Sequence, residues 1–203
     1  MKKLSSVSIL LVFNLVVCFG AAHAKSTAGA NKVKEMNKVT TPKLETATLA
    51  GGCFWGMEDI LRKIPGIGKT EVGYTGGFVP KPTYELVKKG DTGHAESIQI
   101  QFDPKIIKYQ EVLVYFFRMH DPTTKNRQQN DIGAQYRSVI FYHSPEQKSA
   151  ALAAIETVNK SGKWKAPVVT EVVEAKEFYP AEDYHQDYLQ KNPSGYTCHY
   201  LRD

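Results

Sequence analysis

The spacing of hydrophobic and polar residues predicts a mixture of strands and helices from about residue 42 onward. Residues 96–102 (ESIQIQF) alternate strictly between polar and apolar side chains after the first glutamate, which is typical of a strand with one buried face. Residues 54–64 instead carry apolar side chains three and four positions apart, which indicates a helix that stops at the following Pro-Gly pair.

The same periodicities predict the remaining elements of the chain. Strands are expected at residues 46–50, 69–74, 96–102, 135–143 and 168–174. Helices are expected at residues 54–64, 83–88, 107–120, from 145 onward and at 181–190, and the tail from Lys191 is expected to be irregular. Ser144, Pro145 and Gln147 have the spacing of a capping box at the start of one of these helices.

The order of these elements favours an α+β fold. Strands and helices mix without a strict strand-helix repeat, so we expect a two-layer sandwich with a mixed or mostly antiparallel sheet and flanking helices. A doubly wound parallel sheet is the less favoured arrangement.

The first 24 residues have the pattern of a secretory signal peptide. Lys2 and Lys3 precede a mostly apolar stretch at residues 4–20, and Ala22-His23-Ala24 has the small residues of a cleavage site. The apolar stretch is short for a membrane span, which needs about 20 apolar residues. We therefore expect cleavage after Ala24 and export, with the periplasm as the expected compartment.

The rest of the chain divides into a lead-in and a domain. Residues 25–41 are small, polar and charged, which predicts a flexible lead-in, and residues 42–203 are expected to form one domain. The formal net charge of +5 is spread along the chain, so no nucleic-acid surface is predicted. The histidines lack the paired spacing of metal ligands, so no metal site is expected.

Cys53 is the first candidate for chemistry. It follows two glycines and begins a predicted helix, where unpaired N–H groups and the helix dipole favour the thiolate, which is the nucleophilic form. Phe54 and Trp55 follow it, and an aromatic wall beside a sulfur suits a small apolar group such as a methyl on sulfur. The simpler alternative is a small core residue.

Glu96 is the second candidate. The alternation of its strand puts its carboxyl on the same face as Ile98 and Ile100, and burial there would raise its pKa and make it a general acid. A strand-end glutamate that reaches solvent is an equally good interpretation.

Four further polar residues are weaker candidates. Tyr84 and Tyr136 could donate hydroxyl hydrogen bonds, although most of the eleven tyrosines are expected to pack in the core. Asp131 lies in a polar loop, where capping the loop is the simpler role. His185 lies among polar residues and is interpreted as a structural or supporting residue.

Cys198 is the other cysteine that would remain after signal cleavage. Two cysteines in an exported protein first suggest a structural disulfide. Cys198 nevertheless lies in the irregular tail, where fastening the chain adds little stability. A mobile thiol there suits a resolving cysteine, which must reach an oxidised partner.

An ordered set of motifs covers the domain: GGCFWGMED at 51–59, VGYTGG at 72–77, PTYELV at 82–87, TGHAESIQIQFDP at 92–104, NDIGAQYRS at 130–138 and FYPAEDYHQDYL at 178–189. This set resembles the peptide methionine sulfoxide reductase A family over residues 49–201. The resemblance implies an α+β sandwich with a core related to the ferredoxin-like fold. It also implies reduction of the S epimer of methionine sulfoxide, free or in proteins, without a metal or a bound cofactor.

The resemblance also implies residue roles. Cys53 resembles the nucleophile of the family and Glu96 its proton donor. The residues that resemble its substrate pocket are Phe54, Trp55, Tyr84, Asp131 and Tyr136. Cys198 resembles a single resolving cysteine, which would form a disulfide with the Cys53 sulfenic acid. An external thioredoxin-like dithiol would then reduce that disulfide.

Two alternatives stay open at this point. A secreted binding module could be stapled by a structural disulfide between Cys53 and Cys198, or a cysteine hydrolase could activate Cys53 through His185. For the reductase, the expected partners are oxidised proteins or peptides and free methionine sulfoxide, and a monomer without a stable membrane anchor is the default expectation.

Overall fold

The computed structural model describes residues 43–203, so the predicted signal peptide and lead-in lie outside the described residues. The strands are β1 (Glu45–Gly51), β2 (Ile67–Thr75), β3 (Ala95–Phe102), β4 (Arg127–Gln128), β5 (Asp131–Ile132), β6 (Ser138–Tyr142), β7 (Glu171–Glu174) and β8 (Tyr179–Pro180). The helices are α1 (Phe54–Leu61), α2 (Tyr84–Val87), α3 (Tyr109–Met119), α4 (Pro145–Lys160) and α5 (Tyr188–Lys191).

Six strands form one mixed sheet in the order β7-β6-β1-β3-β2-β8. The pairs β1–β3, β1–β6, β2–β3 and β2–β8 are antiparallel, and the edge pair β6–β7 is parallel. The strands β4 and β5 form a separate antiparallel hairpin. The α+β fold with a mixed sheet and flanking helices is therefore confirmed.

The main core lies between the sheet and the helices. Leu49 is paired with Ile98 on one side and with Ile140 on the other, so these three buried side chains share a face. Phe54 of α1 and Phe116 of α3 belong to the same buried cluster. Each such side chain contributes roughly 1.5–3 kcal/mol when fully buried, so this face fixes where α1 lies on the sheet.

Two predicted elements need correction. Residues 135–143 do not form one strand, because Ala134–Tyr136 is a turn of 3-10 helix after Gly133 and β6 begins only at Ser138. Residues 181–190 do not form one helix, because Asp187 is left-handed (φ 56°) and α5 begins only after it. The backbone N–H of Asp187 donates to the buried Glu58 carboxyl at 2.9 Å, a long-range contact that competes with the helix.

The boundaries of other elements shift by a few residues, and the short strands β4, β5 and β8 were not predicted. The predicted cap of α4 is present, since the Ser144 hydroxyl accepts from the Gln147 backbone N–H at 3.2 Å. The Gln147 side chain accepts from the His143 backbone N–H instead of from Ser144, so the reciprocal bond of a capping box is replaced. Among residues 43–203, no helix has the length and apolar character to cross a bilayer.

Candidate active site

The candidate site lies at one end of the sheet, because of the strand pairing. Gly51 at the end of β1 is paired with Ser138 at the start of β6, and β3 runs antiparallel to β1 beside it. The residues just after β1, at the start of β3 and just before β6 therefore meet there. They include Cys53, Glu96 and Tyr136.

These residues surround a pocket of about 110 Å³. It is lined by Cys53, Phe54, Trp55, Tyr84, Glu96, Asp131, Tyr136 and Tyr196. At about 30 Å³ for each water-sized group, the pocket has room for a few non-hydrogen atoms. A wider groove of about 760 Å³ lies elsewhere, beside the first residues of β1 and α4, and no cysteine lines it.

The turn that presents Cys53 depends on Gly52. Gly52 has φ +107°, and a Cβ there would lie 2.7 Å from Cγ of Gln128, so both the backbone and the space require glycine. Cys53 then occupies the N-cap position of α1 with 6% of its surface exposed. The sulfur is thus held at the head of a helix inside the pocket.

The expectation that the helix N-terminus favours the Cys53 thiolate is wrong for this structure. Burial raises the pKa of Cys53 well above its ordinary value, and the adjacent Glu96 raises it further. The backbone N–H of Trp55 acts in the opposite direction but does not outweigh burial. Cys53 is therefore a neutral thiol near pH 7.

Glu96 is buried, with 2% of its surface exposed, so the solvent-facing alternative is wrong. Burial raises the pKa of its carboxyl to about 8, although the Phe54 backbone N–H, 3.3 Å from Oε2, lowers it in part. Near pH 7 the carboxyl is mostly protonated and can donate a proton inside the pocket.

Phe54 and Trp55 both line the pocket, and His185 supports them. The Trp55 indole N–H donates to Nδ1 of His185 at 3.1 Å, and its ring stacks on Tyr188 at 3.8 Å. Burial lowers the pKa of His185, so its ring is neutral and able to accept. Because Nδ1 accepts from Trp55, Nε2 carries the proton of the neutral ring, so His185 has no free lone pair to serve Cys53 as the base that a hydrolase needs.

Tyr84 and Tyr136 present hydroxyls to the pocket from a helix start and a turn. Burial is the main cause that raises the pKa of both hydroxyl groups, and the charge of Glu96 raises it further. Both hydroxyls therefore remain protonated hydrogen-bond donors. Glu182 holds Tyr84 in position, because its carboxylate accepts from the Tyr84 backbone N–H and from the Tyr74 hydroxyl, each at 2.9 Å.

Asp131 and Tyr196 close another side of the pocket. The Tyr196 hydroxyl donates to Oδ1 of Asp131 at 3.1 Å, while Oδ2 is buried without a hydrogen-bond partner. Tyr196 was not predicted, because an aromatic residue in an irregular tail has no periodicity to mark it. Its place three residues after a proline and two before Cys198 was the available signal.

The tail that carries Cys198 packs against the rest of the domain through hydrogen bonds. Gln129 donates to the Cys198 carbonyl at 2.7 Å, and the backbone N–H of Arg202 donates to the Arg118 carbonyl at 2.9 Å. Cys198 does not line the pocket and is only 8% exposed, so the expected mobile thiol is buried in this structure.

Cys53 and Cys198 are both free thiols, and each lies close enough to affect the pKa of the other. Burial and then Asp131 raise the pKa of Cys198 to about 12, while the backbone N–H of Cys53 lowers it in part. That last interaction places the Cys198 sulfur against the backbone of Cys53. Within residues 43–203, no group of three His, Cys, Asp or Glu side chains has the geometry of a metal site.

Comparison with known proteins gives one consistent result. A sequence model of the family described as peptide methionine sulfoxide reductase matches residues 45–203. The peptide methionine sulfoxide reductase MsrA of Methanosarcina acetivorans is 55% identical over 159 residues, which are 78% of this chain and 84% of that relative.

Solved structures give the same result. Mxr1 from Saccharomyces cerevisiae in reduced form is 42% identical with a TM-score of 0.75, over 79% of this chain and 93% of the other. The structure of Mxr1 in complex with Trx2 is 28% identical with a TM-score of 0.54, over 84% and 97% of the two chains.

Proposed function

This chain belongs to the peptide methionine sulfoxide reductase family of oxidoreductases, and from that premise we propose that it reduces the S epimer of methionine sulfoxide, free or within proteins. The observation that carries the proposal is the pocket itself. It joins a buried thiol at Cys53, a protonated carboxyl at Glu96 and an aromatic wall in about 110 Å³.

The first step transfers oxygen from the substrate to Cys53. The Cys53 sulfur attacks the sulfoxide sulfur, while Glu96 donates a proton to the sulfoxide oxygen and takes up the thiol proton. This forms an S–S bond between Cys53 and the substrate sulfur, which then carries a hydroxyl. The hydroxyl passes to the Cys53 sulfur as the S–S bond and the substrate S–O bond break and leave an electron pair on the methionine sulfur, so methionine leaves and Cys53 is left as a sulfenic acid. The substrate sulfur gains the two electrons that the Cys53 sulfur loses.

The walls of the pocket support the choice of one epimer. Phe54 and Trp55 offer an apolar surface for the substrate methyl, and the Tyr84 and Tyr136 hydroxyls offer donors for its oxygen. A tetrahedral sulfur with its methyl and oxygen so assigned turns toward Cys53 in one configuration only.

The second step regenerates the thiol. Cys198 attacks the Cys53 sulfenic acid, water leaves and a disulfide forms, which an external dithiol of the thioredoxin class then reduces. The complex of yeast Mxr1 with Trx2 supports this choice of donor. If the chain is exported as its first 24 residues predict, a dedicated donor must deliver electrons to an oxidising compartment.

Epimer-resolved turnover tests the proposal. The purified protein is mixed with dithiothreitol and a peptide that carries either methionine sulfoxide epimer, with Cys53→Ser as the matched control. We expect methionine from the S epimer only, and none from the control. Equal turnover of both epimers would refute the stereochemical assignment, and no turnover by folded protein would refute the reductase.

The compartment needs its own measurement. Expression of the full chain in a bacterial host, followed by mass analysis of periplasmic and cytoplasmic fractions, should give a periplasmic protein that begins at Lys25. Full-length protein confined to the cytoplasm would contradict export, without bearing on the reaction.

A further inference from the structure

His199 is a buried residue that the steps above leave without a role. Its Nδ1 lies 3.3 Å from Sγ of Cys198, the neighbouring residue in the tail. Each of the two residues is only 8% exposed, so water does not compete freely for this contact. The pair therefore places a nitrogen directly against one of the reacting sulfur atoms.

The tautomer of His199 follows from its other nitrogen. Nε2 lies 2.9 Å from the Gly51 carbonyl oxygen, which can only accept, so Nε2 carries the proton of the neutral ring. Nδ1 is then an unprotonated acceptor that faces the Cys198 thiol. Burial lowers the pKa of His199 to about 4, so this neutral form prevails at pH 7.

We propose that His199 is the general base of the recycling step, accepting the thiol proton of Cys198 as Cys198 attacks the sulfenic acid of Cys53. The inference rests on the proposed function. The Cys198 S–H bond breaks, and its sulfur supplies the electron pair of the new S–S bond. The S–O bond of Cys53 breaks with its pair on oxygen, which takes up the released proton and leaves as water.

A base is needed because Cys198 is not a thiolate at rest. Burial and Asp131 raise its pKa to about 12, so almost none of it is ionised at pH 7. A thiol sulfur becomes strongly acidic as it bonds to a second sulfur, so its proton must leave during that step. A positioned acceptor typically accelerates such a transfer by about 10²–10⁴-fold.

Asp131 is the competing proton acceptor near Cys198. Its Oδ1 accepts from the Tyr196 hydroxyl, its Oδ2 is buried without a hydrogen-bond partner, and the carboxyl raises the pKa of the Cys198 thiol. His199 is favoured because the bond from Nε2 to Gly51 fixes its ring with the free lone pair of Nδ1 toward the sulfur.

The test is His199→Gln, whose amide nitrogen can keep the bond to Gly51 while no ring nitrogen faces Cys198. The full-chain protein is mixed with methionine sulfoxide without reductant. Methionine and the masses of the sulfenic acid and disulfide forms are followed over time. We expect wild-type methionine formation and disulfide formation slowed about 10²–10⁴-fold, with sulfenic acid accumulating. A disulfide formed at the wild-type rate overturns the inference.

Controls separate this inference from the proposed function. Cys198→Ser should form methionine but no disulfide, and His143→Gln, at an exposed histidine bonded to Thr48, should keep both wild-type rates. If His199→Gln also loses methionine formation, the rate of disulfide formation by the wild-type protein is compared in H₂O and in D₂O. A disulfide step that is not slowed in D₂O refutes a base, whereas absence of methionine from the wild type refutes the reductase itself.

Discussion

Replacing Glu96 by glutamine removes an acidic proton from the pocket and keeps the size of the side chain. With a pKa of about 8, the carboxyl is protonated in about nine molecules of ten at pH 7 and in about one of ten at pH 9. If this proton is the one donated to the sulfoxide oxygen, the first step slows about tenfold between these two pH values.

Ionisation of Cys53 does not offset that loss. Burial raises the pKa of its thiol well above the ordinary value, and a negative charge on Glu96 raises it further. Above pH 8 the wild-type protein therefore loses the acid without gaining the thiolate.

The assay is methionine formation in a single turnover, measured from pH 6 to pH 9.5 without reductant, so that each molecule reacts once and methionine is released before the recycling step. We expect Glu96→Gln to be about 10²–10⁴-fold slower at pH 7 and to lack the decline above pH 8. Glu146→Gln, which changes a fully exposed carboxyl on α4, should keep both the wild-type rate and the decline.

The reasoning fails if the wild-type rate is constant or rises between pH 7 and pH 9. It also fails if Glu96→Gln declines with pH as the wild type does, because the decline then belongs to another group. Far-ultraviolet circular dichroism at each pH confirms that a fall in rate is not a loss of fold.

Further predictions concern stability and the tail. Because the folded-state pKa of Glu96 exceeds its unfolded value, the wild type loses stability as pH rises from about 4.5 to about 8. Glu96→Gln should therefore be more stable than the wild type at pH 9, by up to a few kcal/mol, but not at pH 4; equal thermal shifts at both would contradict this. A Cβ added at Gly56 would lie 2.7 Å from Nδ1 of His199 and also meet Thr197, so Gly56→Ala should displace the tail and slow disulfide formation while methionine still forms. Disulfide formation at the wild-type rate, measured as the loss of free thiols by alkylation and mass spectrometry, would contradict this prediction for Gly56→Ala. Ser144→Ala removes the cap of α4 and should lower the free energy of unfolding in urea by about 1 kcal/mol with no change in turnover, and an unchanged midpoint would show that the cap contributes nothing.

The sequence predicted most of the pocket because local patterns marked its residues. The strict alternation of β3 assigned Glu96 to the face of Ile98, and the structure shows both buried. Alternation could not reveal that the strand start is covered, since that depends on how β3 pairs with β1 and where α1 lies. The charge state of Cys53 was missed for the same reason, because desolvation is a property of the assembled pocket.

The failures concentrate where long-range contacts decide local structure. The helical pattern at residues 181–190 is interrupted because Glu58, on α1, holds the backbone of Asp187 in a left-handed conformation. The tail has no periodic pattern of apolar residues. The sequence therefore could not indicate that Tyr196 contacts Asp131 or that His199 contacts Gly51.

The neutral state of the two thiols bears on how the protein withstands oxidants. Hydrogen peroxide and similar agents react with thiolates, and thiols react far more slowly. Because burial keeps both Cys53 and Cys198 protonated near pH 7, peroxide in the surroundings has little of the reactive form to consume. In the proposed reaction the sulfoxide oxygen accepts the proton from Glu96, so the thiol would become reactive once the substrate is bound. A protein with this chemistry would react with oxidised methionine in preference to the oxidant that produced it.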